Sequence, residues 1–450
     1  MKQYLKIFFA TFFLLLTFGY AKAQIIGTIA GNGSASYCGD GGAATNACLN
    51  SVWGLTVDKQ GNVYLADRDN NRIRKVDAAG NITTFAGIGG TGSYNGDNIP
   101  ATSAALNYCT GVAADRIGNI YIADVNNYRI RKVNTLGIIT TVVGNGISGF
   151  SGDGSQATAA QFDGSTDMGF DSIGNMYISD GGNLRIRKID TSGIITTIGG
   201  TGVAGFSGDN GLAVNAQMNP TNEITADKYG NVYFHDGDVG SVHSRIRKID
   251  TNGIITTLTG DSSGYSGDGG LAINAKIFGA LGIAVDKSGN VFFADLLNNR
   301  IRMINGSTDI INTVIGTGVN GFNGDGHTAL NTEINYPYGV TFDNNGYLYF
   351  SDNGNGIIRK TDITVGIQQF KNDIQLTVYP NPSNGNFAVE TNYTTEKQNL
   401  QLFDVTGKMV LSQTLNNKAN INASSLDNGV YFLQVKTNQN ISTQKVIVQH

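Results

Sequence analysis

Short runs of alternating apolar and polar residues, four to six long, recur along most of the chain. Between residues 54 and 86 there are four: Gly54-Leu-Thr-Val-Asp58, Val63-Tyr-Leu-Ala-Asp67, Arg72-Ile-Arg-Lys-Val76 and Ile82-Thr-Thr-Phe-Ala86. Gly, Asn and Asp bound each run, and Gln60-Gly61 marks the first turn. Runs of this length, rich in β-branched and aromatic residues, predict four antiparallel strands, here named a to d.

The same order returns at a fixed interval. The Asp that ends strand b stands at Asp67, Asp124, Asp180, Asp236, Asp295 and Asp352, at spacings of 57, 56, 56, 59 and 57. An Arg-Ile-Arg run follows at Arg72, Arg129, Arg185, Arg245 and Arg300, with Ile357-Ile358-Arg359 in the last copy. An aromatic-x-Gly-Asp marker keeps the same phase at Tyr37, Tyr94, Phe150, Phe206, Tyr265 and Phe322. Three phased markers define a true repeat. After Gly-Asp-Gly, small residues at fixed offsets (Ala44, Ala47, then Leu49) predict one short helical turn against each sheet, with Thr332 the exception.

Four strands per unit predict propeller blades rather than a helical solenoid. Strands a, b and c occur six times between Gly54 and Lys360, but strand d follows strand c only five times. The missing outer strand is Ile25-Ile-Gly-Thr-Ile-Ala30 at the N-terminus, which would complete the last blade and remove a free edge. The expected fold class is therefore all-β: a six-bladed β-propeller closed by its N-terminal strand, with a smaller β-sandwich after it.

Departures from the repeat locate the candidate chemistry. The d–a and b–c loops share one face, where strand a begins beside the channel. The residue pairs there are Trp53-Gly54, Thr110-Gly111, Thr166-Asp167, Asn222-Glu223, Leu281-Gly282 and Tyr338-Gly339. Blades three and four thus carry carboxylates where the others have Gly. Blade four also has His235 where other copies have Ala or Ser, and a b–c loop four residues longer that contains Asp238 and His243. Register places Glu223 across from His235, a separation of ~5 Å at Cβ, so a carboxylate that raises the imidazole pKa is expected. Asp167, Glu223, His235 and His243 would form a polar-ligand or divalent-cation site, with Asp167 and Glu223 as the metal candidates and Trp53 and Tyr338 across the mouth. Drift at solvent-exposed rim positions is the competing reading. The repeated strand-b Asp residues are expected to cap turns and pair with strand-c Arg, and the Gly-Asp-Gly loops lack the spaced carboxylates of a calcium loop.

Composition narrows the setting. The chain has 61 Gly and 5 Pro in 450 residues, which suits many tight turns and not a Pro-rich linker. Charge is sparse, net −4, which argues against nucleic-acid binding. Lys2 and Lys6, the apolar run Ile7 to Phe18 and then Ala21-Lys22-Ala23 read as a cleaved export signal leaving Gln24 first. No other segment could span a bilayer as a helix. In an oxidising compartment Cys38 and Cys48 could bridge, and Cys109 reads as a small buried filler. No CxxC or HxxxH spacing marks a zinc site.

The pattern D-x-x-G-N-V-Y-x-A-D-x-x-N-N-R-I-R-K, over about residues 25 to 362, resembles the NHL repeat. That class implies a scaffold for protein, RNA or carbohydrate and is related in fold to lyases and lactonases. Fold alone does not choose among them. After Ile374 the markers stop. Val378-Tyr-Pro-Asn-Pro-Ser-Asn-Gly385, Leu400-Gln-Leu-Phe-Asp-Val-Thr-Gly-Lys408 and Leu426-Asp-Asn-Gly-Val-Tyr-Phe-Leu-Gln-Val435 follow in order, then a strand around Lys445 to Val448. This segment resembles type A sorting domains of the type IX secretion system, which implies a Bacteroidota-like host, contact with the secretion machinery, and a secreted or cell-surface product. The expected organisation is a signal peptide (1–23), propeller (24–363), linker (364–373) and sorting domain (374–450). The expected function is non-catalytic binding of protein or glycan. The alternative is a metal-assisted lyase or hydrolase acting at the channel mouth of blades three and four.

Overall fold

The computed structural model describes residues 24–450 except 91, 165–166, 238–243, 261, 364–375, 392–397, 406 and 437–440. The expected signal peptide and linker lie outside the described residues. The chain divides into two compact units after residue 364. Among the described residues all regular structure beyond single 3₁₀ turns is β, in antiparallel sheets.

The first unit contains six sheets among the described residues, each ordered a-b-c-d, with strands consecutive in sequence in the first five. In the sixth sheet the outer strand is Gly27–Ala30, paired antiparallel to strand c, Ile357–Asp362, with Gly27 opposite Lys360. Two-residue strands, Ile99–Pro100 and Ser155–Gln156, add an outer edge in repeats two and three.

Each motif has a physical reason. In the a–b turn the Asp side chain accepts local amides: Asp58 Oδ1 takes the N–H of Gln60 and of Asn62, both at 2.9 Å. Its other oxygen takes the amide of the Asn62 side chain at 2.7 Å and the Tyr64 hydroxyl at 3.1 Å. An Asx turn of this kind explains the D-x-x-G-N-V-Y spacing. The remaining markers meet in one stack. The second Arg of strand c (Arg74, Arg131, Arg187, Arg247, Arg302, Arg359) is fully buried in every repeat. In repeat three, Arg187 contacts the strand-b Asp180 at 3.1 Å and the loop Asp153 at 2.8 Å, beneath the ring of Phe150 at 4.8 Å. A buried cation between two carboxylates and an aromatic face satisfies a charge that would otherwise be costly to enclose. The first Arg lies over the same ring, as Arg185 does at 3.8 Å. The strand-b Asp also accepts the backbone N–H at the entrance of strand a, as Asp180 does from Asp163 at 2.8 Å. The expected turn-and-arginine role of these residues is what the structure has.

The cores lie between neighbouring sheets. Ala113, Ile130 and Val143 of repeat two pack with Phe162, Met168 and Ile178 of repeat three. Leu55 and Leu65 of repeat one share a cluster with Tyr349 and Ile358 of repeat six and with Ala30. The small residues after Gly-Asp-Gly form the expected turn: Ala44–Asn46 is a 3₁₀ helix whose Ala44 is fully buried. Thr332 is also buried and returns its hydroxyl to the Thr328 carbonyl at 2.9 Å. Cys38 and Cys48 are disulfide-bonded with Cα atoms 4.9 Å apart. Cys109 is buried and free, and burial pushes its thiol pKa well up.

The a strands face one cavity of about 230 Å³, lined by residues from all six of them, among them Leu55, Val112, Asp167, Ile224, Ile283 and Val340. Strand a is six residues long in repeats one, two, five and six, but only three in repeats three and four, Met168–Phe170 and Ile224–Ala226. The long copies carry Gly because neighbouring backbones touch there. A Cβ on Gly54 would lie 2.6 Å from the Thr110 carbonyl oxygen, and one on Gly339 would lie 2.3 Å from that of Trp53. Asp167 and Glu223 cannot be held that close, so their strands begin later.

The second unit holds a three-stranded and a four-stranded antiparallel sheet. Val378, Phe387, Val389 and Ile421 of the first share a buried cluster with Leu400, Leu402, Leu433 and Val446 of the second. Its last strand is Ile441–Val448, longer than the sequence suggested. Among the described residues no helix is long and apolar enough to cross a membrane.

Candidate functional site

The loop-rich end of the a strands has two unlike halves; of the residues gathered there only Asp167 also lines the cavity, whose other lining residues lie further along the a strands. In repeats three and four it is acidic. The carboxyl groups of Asp167 and Glu223 are hydrogen-bonded to each other across neighbouring repeats. Two carboxyls in that contact must hold a proton between them, as like charges cannot both ionise at hydrogen-bond distance. Burial is the main reason that Asp167 is raised to about 7, and burial followed by the charge of Asp167 lifts Glu223 well above the usual carboxylate range. Asp167 is half-buried and lines the cavity, while Glu223 is only 6% exposed. Each carboxyl also reaches the next repeat: Asp167 accepts the Ile224 N–H at 3.5 Å, and Glu223 accepts that of Gly282. The acids thus take up backbone donors in the seam that the glycine repeats close by direct contact.

His235 is opposite Glu223, as the register required: its N–H donates to the Glu223 carbonyl at 3.1 Å. The expected side-chain pairing is not formed. Glu223 turns to Asp167, and the His235 imidazole meets the Ser244 hydroxyl through Nε2 at 3.0 Å. With full burial and no charged partner, the imidazole pKa is lowered to about 4, the reverse of the expected rise. Among the described residues its Nδ1 has no hydrogen-bond partner, nor has the buried Thr221 hydroxyl. Ser244 Oγ also accepts the Ala280 N–H at 3.0 Å, tying repeat four to repeat five. His243 and Asp238 lie outside the described residues.

The other half of this end is aromatic. Trp53 stacks on Tyr338 with ring centroids 4.5 Å apart and an interplanar angle of 20°. Tyr108 meets Trp53 edge-on at 6.0 Å. The Arg68 guanidinium lies over Trp53 at 4.1 Å and over Tyr108 at 4.8 Å, anchored by Asp69 at 2.8 Å. Both indole faces are therefore occupied. Burial, then the Glu223 charge, pushes the Tyr338 hydroxyl pKa well up, so the aromatic and acidic halves sense each other.

The structure thus brings Asp167 and Glu223 together, sets His235 beside them without a side-chain bond, and stacks Trp53 on Tyr338. Sequence reasoning missed Arg68, Tyr108 and Ser244. A signal existed in the repeat columns: Arg68 follows the strand-b Asp where the other copies have Val125, Gly181, Gly237, Leu296 and Asn353. Ser244 precedes the first strand-c residue where they have Asn71, Tyr128, Leu184, Asn299 and Gly356. Chemically, Ser244 and His235 are poorly placed for nucleophilic work, being fully buried, with an imidazole too weakly basic near neutrality. Among the described residues no three His, Cys, Asp or Glu side chains gather as a metal set. A divalent cation would have only the Asp167–Glu223 pair, and only after displacing their proton.

Comparison with known proteins agrees with this anatomy. A family model described as secretion system C-terminal sorting domain matches residues 377–449. One described as Teneurin NHL domain matches residues 24–95 and 88–149. Teneurin-1 of Gallus gallus is 28% identical over 278 residues, 54% of this chain. NHL repeat-containing protein 2 of Gallus gallus is 28% identical over 355 residues, 70% of this chain. The aligned part is 10% of that teneurin and 46% of the second protein. A solved structure of a protein of unknown function from Bacteroides thetaiotaomicron has a TM-score of 0.54 at 20% identity, over 76% of each chain. An auxiliary nutrient binding protein from Bacteroides ovatus has a TM-score of 0.54 at 13% identity, over 75% of this chain and 76% of its own. At such identities the structural likeness speaks to a propeller-like fold. The chain is built of NHL-type repeats and ends in a type IX secretion-system sorting domain.

Proposed function

We propose that the chain is an exported binding protein: a closed six-bladed propeller whose loop-rich face takes a protein or glycan ligand, carried out of the cell by a C-terminal β-sandwich. The closed ring is supported by a cavity lined from all six repeats and by the core shared between repeats one and six. Export and a surface or secreted location follow from the sorting domain.

The observation that carries the binding reading is the two-sided cluster at the loop-rich end of the a strands. Arg68, Trp53, Tyr108 and Tyr338 occupy one side, and the proton-sharing Asp167–Glu223 pair the other. Aromatic and Arg side chains at a partly buried centre are the groups that dominate recognition energetics. Because both indole faces are covered, a ligand would meet the edge of Arg68 and Tyr108 rather than a bare ring. The metal-assisted lyase or hydrolase reading fits less well, since the donor set among the described residues stops at two carboxyls. The auxiliary nutrient binding protein of similar fold is compatible with a binding role here.

A glycan array and a surface-protein panel, probed with the full chain and with Arg68→Ala and Tyr338→Ala, test the reading. Ligands captured by the wild type and lost about tenfold or more in both variants support it. Capture that is indifferent to both substitutions, or turnover that depends on an added divalent cation, sinks it.

A further inference from the structure

The opposite face, formed by the a–b and c–d turns, has a chemistry of its own. In the a–b turns the third residue of D-x-x-G is the outermost. In repeats two, three and four it is Ile117, Ile173 and Tyr229, exposed by 79%, 75% and 70%. In repeats one, five and six it is Gln60, Ser288 and Asn345. Leu136, in the c–d turn of repeat two, is 85% exposed on the same face. The turns are neighbours: the Ser172 N–H donates to the Lys228 carbonyl at 3.4 Å, and Tyr121 of repeat two packs on Phe170 of repeat three at 4.8 Å. Three successive repeats therefore share an apolar arc that the other three lack.

Charge is layered along this arc. Arg116 and Lys228 are exposed and directly precede Ile117 and Tyr229, and Lys59 is exposed one repeat earlier. The acids of these turns, Asp115, Asp171 and Asp227, sit deeper and are bound by turn amides at 2.9–3.0 Å. Asp190 and Asp250 in the c–d turns are half-buried and capped in the same way. Lys132, Lys188 and Lys248 lie half-buried over Tyr121, Tyr177 and Tyr233. Cations and apolar tips are outermost, and the balancing carboxylates lie one layer below.

We propose that this arc docks the exported protein on a phosphate-bearing lipid surface, with Ile117, Ile173 and Tyr229 entering the headgroup layer and Arg116 and Lys228 meeting phosphates. The alternation decides between partners. The core of a protein interface is depleted of charge, Lys above all, whereas exposed cations beside apolar tips, as Arg116 stands beside Ile117 and Lys228 beside Tyr229, form the pattern of membrane-surface binding. The proposal concerns the turn face and is independent of the ligand assigned to the loop-rich face.

Cosedimentation of the full chain with vesicles of phosphatidylglycerol and phosphatidylcholine, against phosphatidylcholine alone, tests it. The expected result is binding to the first that exceeds the second and weakens with salt. Ile117→Ser/Ile173→Ser/Tyr229→Ser should lower it about tenfold or more, and Arg116→Gln/Lys228→Gln should remove the phosphatidylglycerol preference. These positions are exposed, and an unchanged thermal transition in each variant excludes misfolding. No vesicle binding by wild type, or equal binding by the triple variant, overturns the proposal. So does light scattering that shows a dimer abolished by the triple variant with no vesicle binding, since a second copy would then own the arc.

Discussion

Replacing Asp167 by Asn asks whether the Asp167 and Glu223 carboxyls share a proton. The folded pKa of Asp167 is raised to about 7 from 3.8, chiefly by burial. A carboxyl raised in the folded state binds its proton more tightly there than in the unfolded chain. Its contribution is therefore fully present below the unfolded value and is lost as pH rises toward 7. At about 1.4 kcal/mol per pH unit, and reduced because Asp167 is half-buried, wild type should lose about 1–2 kcal/mol between pH 5 and pH 8 that Asp167→Asn does not lose. His235 titrates with the opposite sign. Its pKa is lowered to about 4 from 6.5, so its contribution is present above 6.5 and lost as pH falls toward 4. That slope is common to both proteins and cancels in the difference. The assay is denaturant unfolding of the full chain followed by fluorescence of Trp53, the one Trp in the sequence, which lies in the repeat unit. Asp167→Asn/Glu223→Gln, with both ionisable groups removed, should flatten the acid-to-neutral difference further. Stability curves for wild type and variants that run parallel from pH 5 to pH 8 would refute the shared proton.

Three further outcomes follow from the packing. Arg187→Ala leaves Asp180 buried without its cation and should cost about 3–5 kcal/mol, read as a lower denaturation midpoint, whereas Arg187→Met should cost less. Cys38→Ser/Cys48→Ser opens a short loop and should lower stability by about 2–3 kcal/mol, an effect that prior reduction of the wild type reproduces. Gly339→Ala places a methyl 2.3 Å from the Trp53 carbonyl oxygen and should lower the thermal midpoint by several degrees. Ala at Gly41, where the added methyl meets nothing within 4 Å, should cost only the strain of its φ of +83°.

Much of the architecture was legible in the residues themselves. Strand order, repeat length and the N-terminal strand in the last sheet could be read because a period of 57 residues or so repeats each local signal six times. Even the register of Glu223 against His235 could be counted along an Asx turn, since turn geometry fixes which residues face each other. Backbone pairing is local in this fold, and local rules suffice for it.

What those side chains do is settled between repeats. Glu223 has His235 as its strand neighbour yet bonds Asp167, 56 positions earlier, because the two carboxyls occupy one seam where glycines would have let the backbones touch. The sign of the His235 shift could not be read either: it depends on whether a charge or only burial surrounds the ring, and that environment comes from Ser244 and the neighbouring repeat. Arg68 on Trp53 likewise joins a b–c loop to the start of a strand a. The sequence alone determined the repeated sheets, their turns and the arginine stacks, each written within one period. Only the tertiary structure decided the chemistry at the loop-rich end of the a strands, because proximity across seams sets which charges share a proton and which rings are covered.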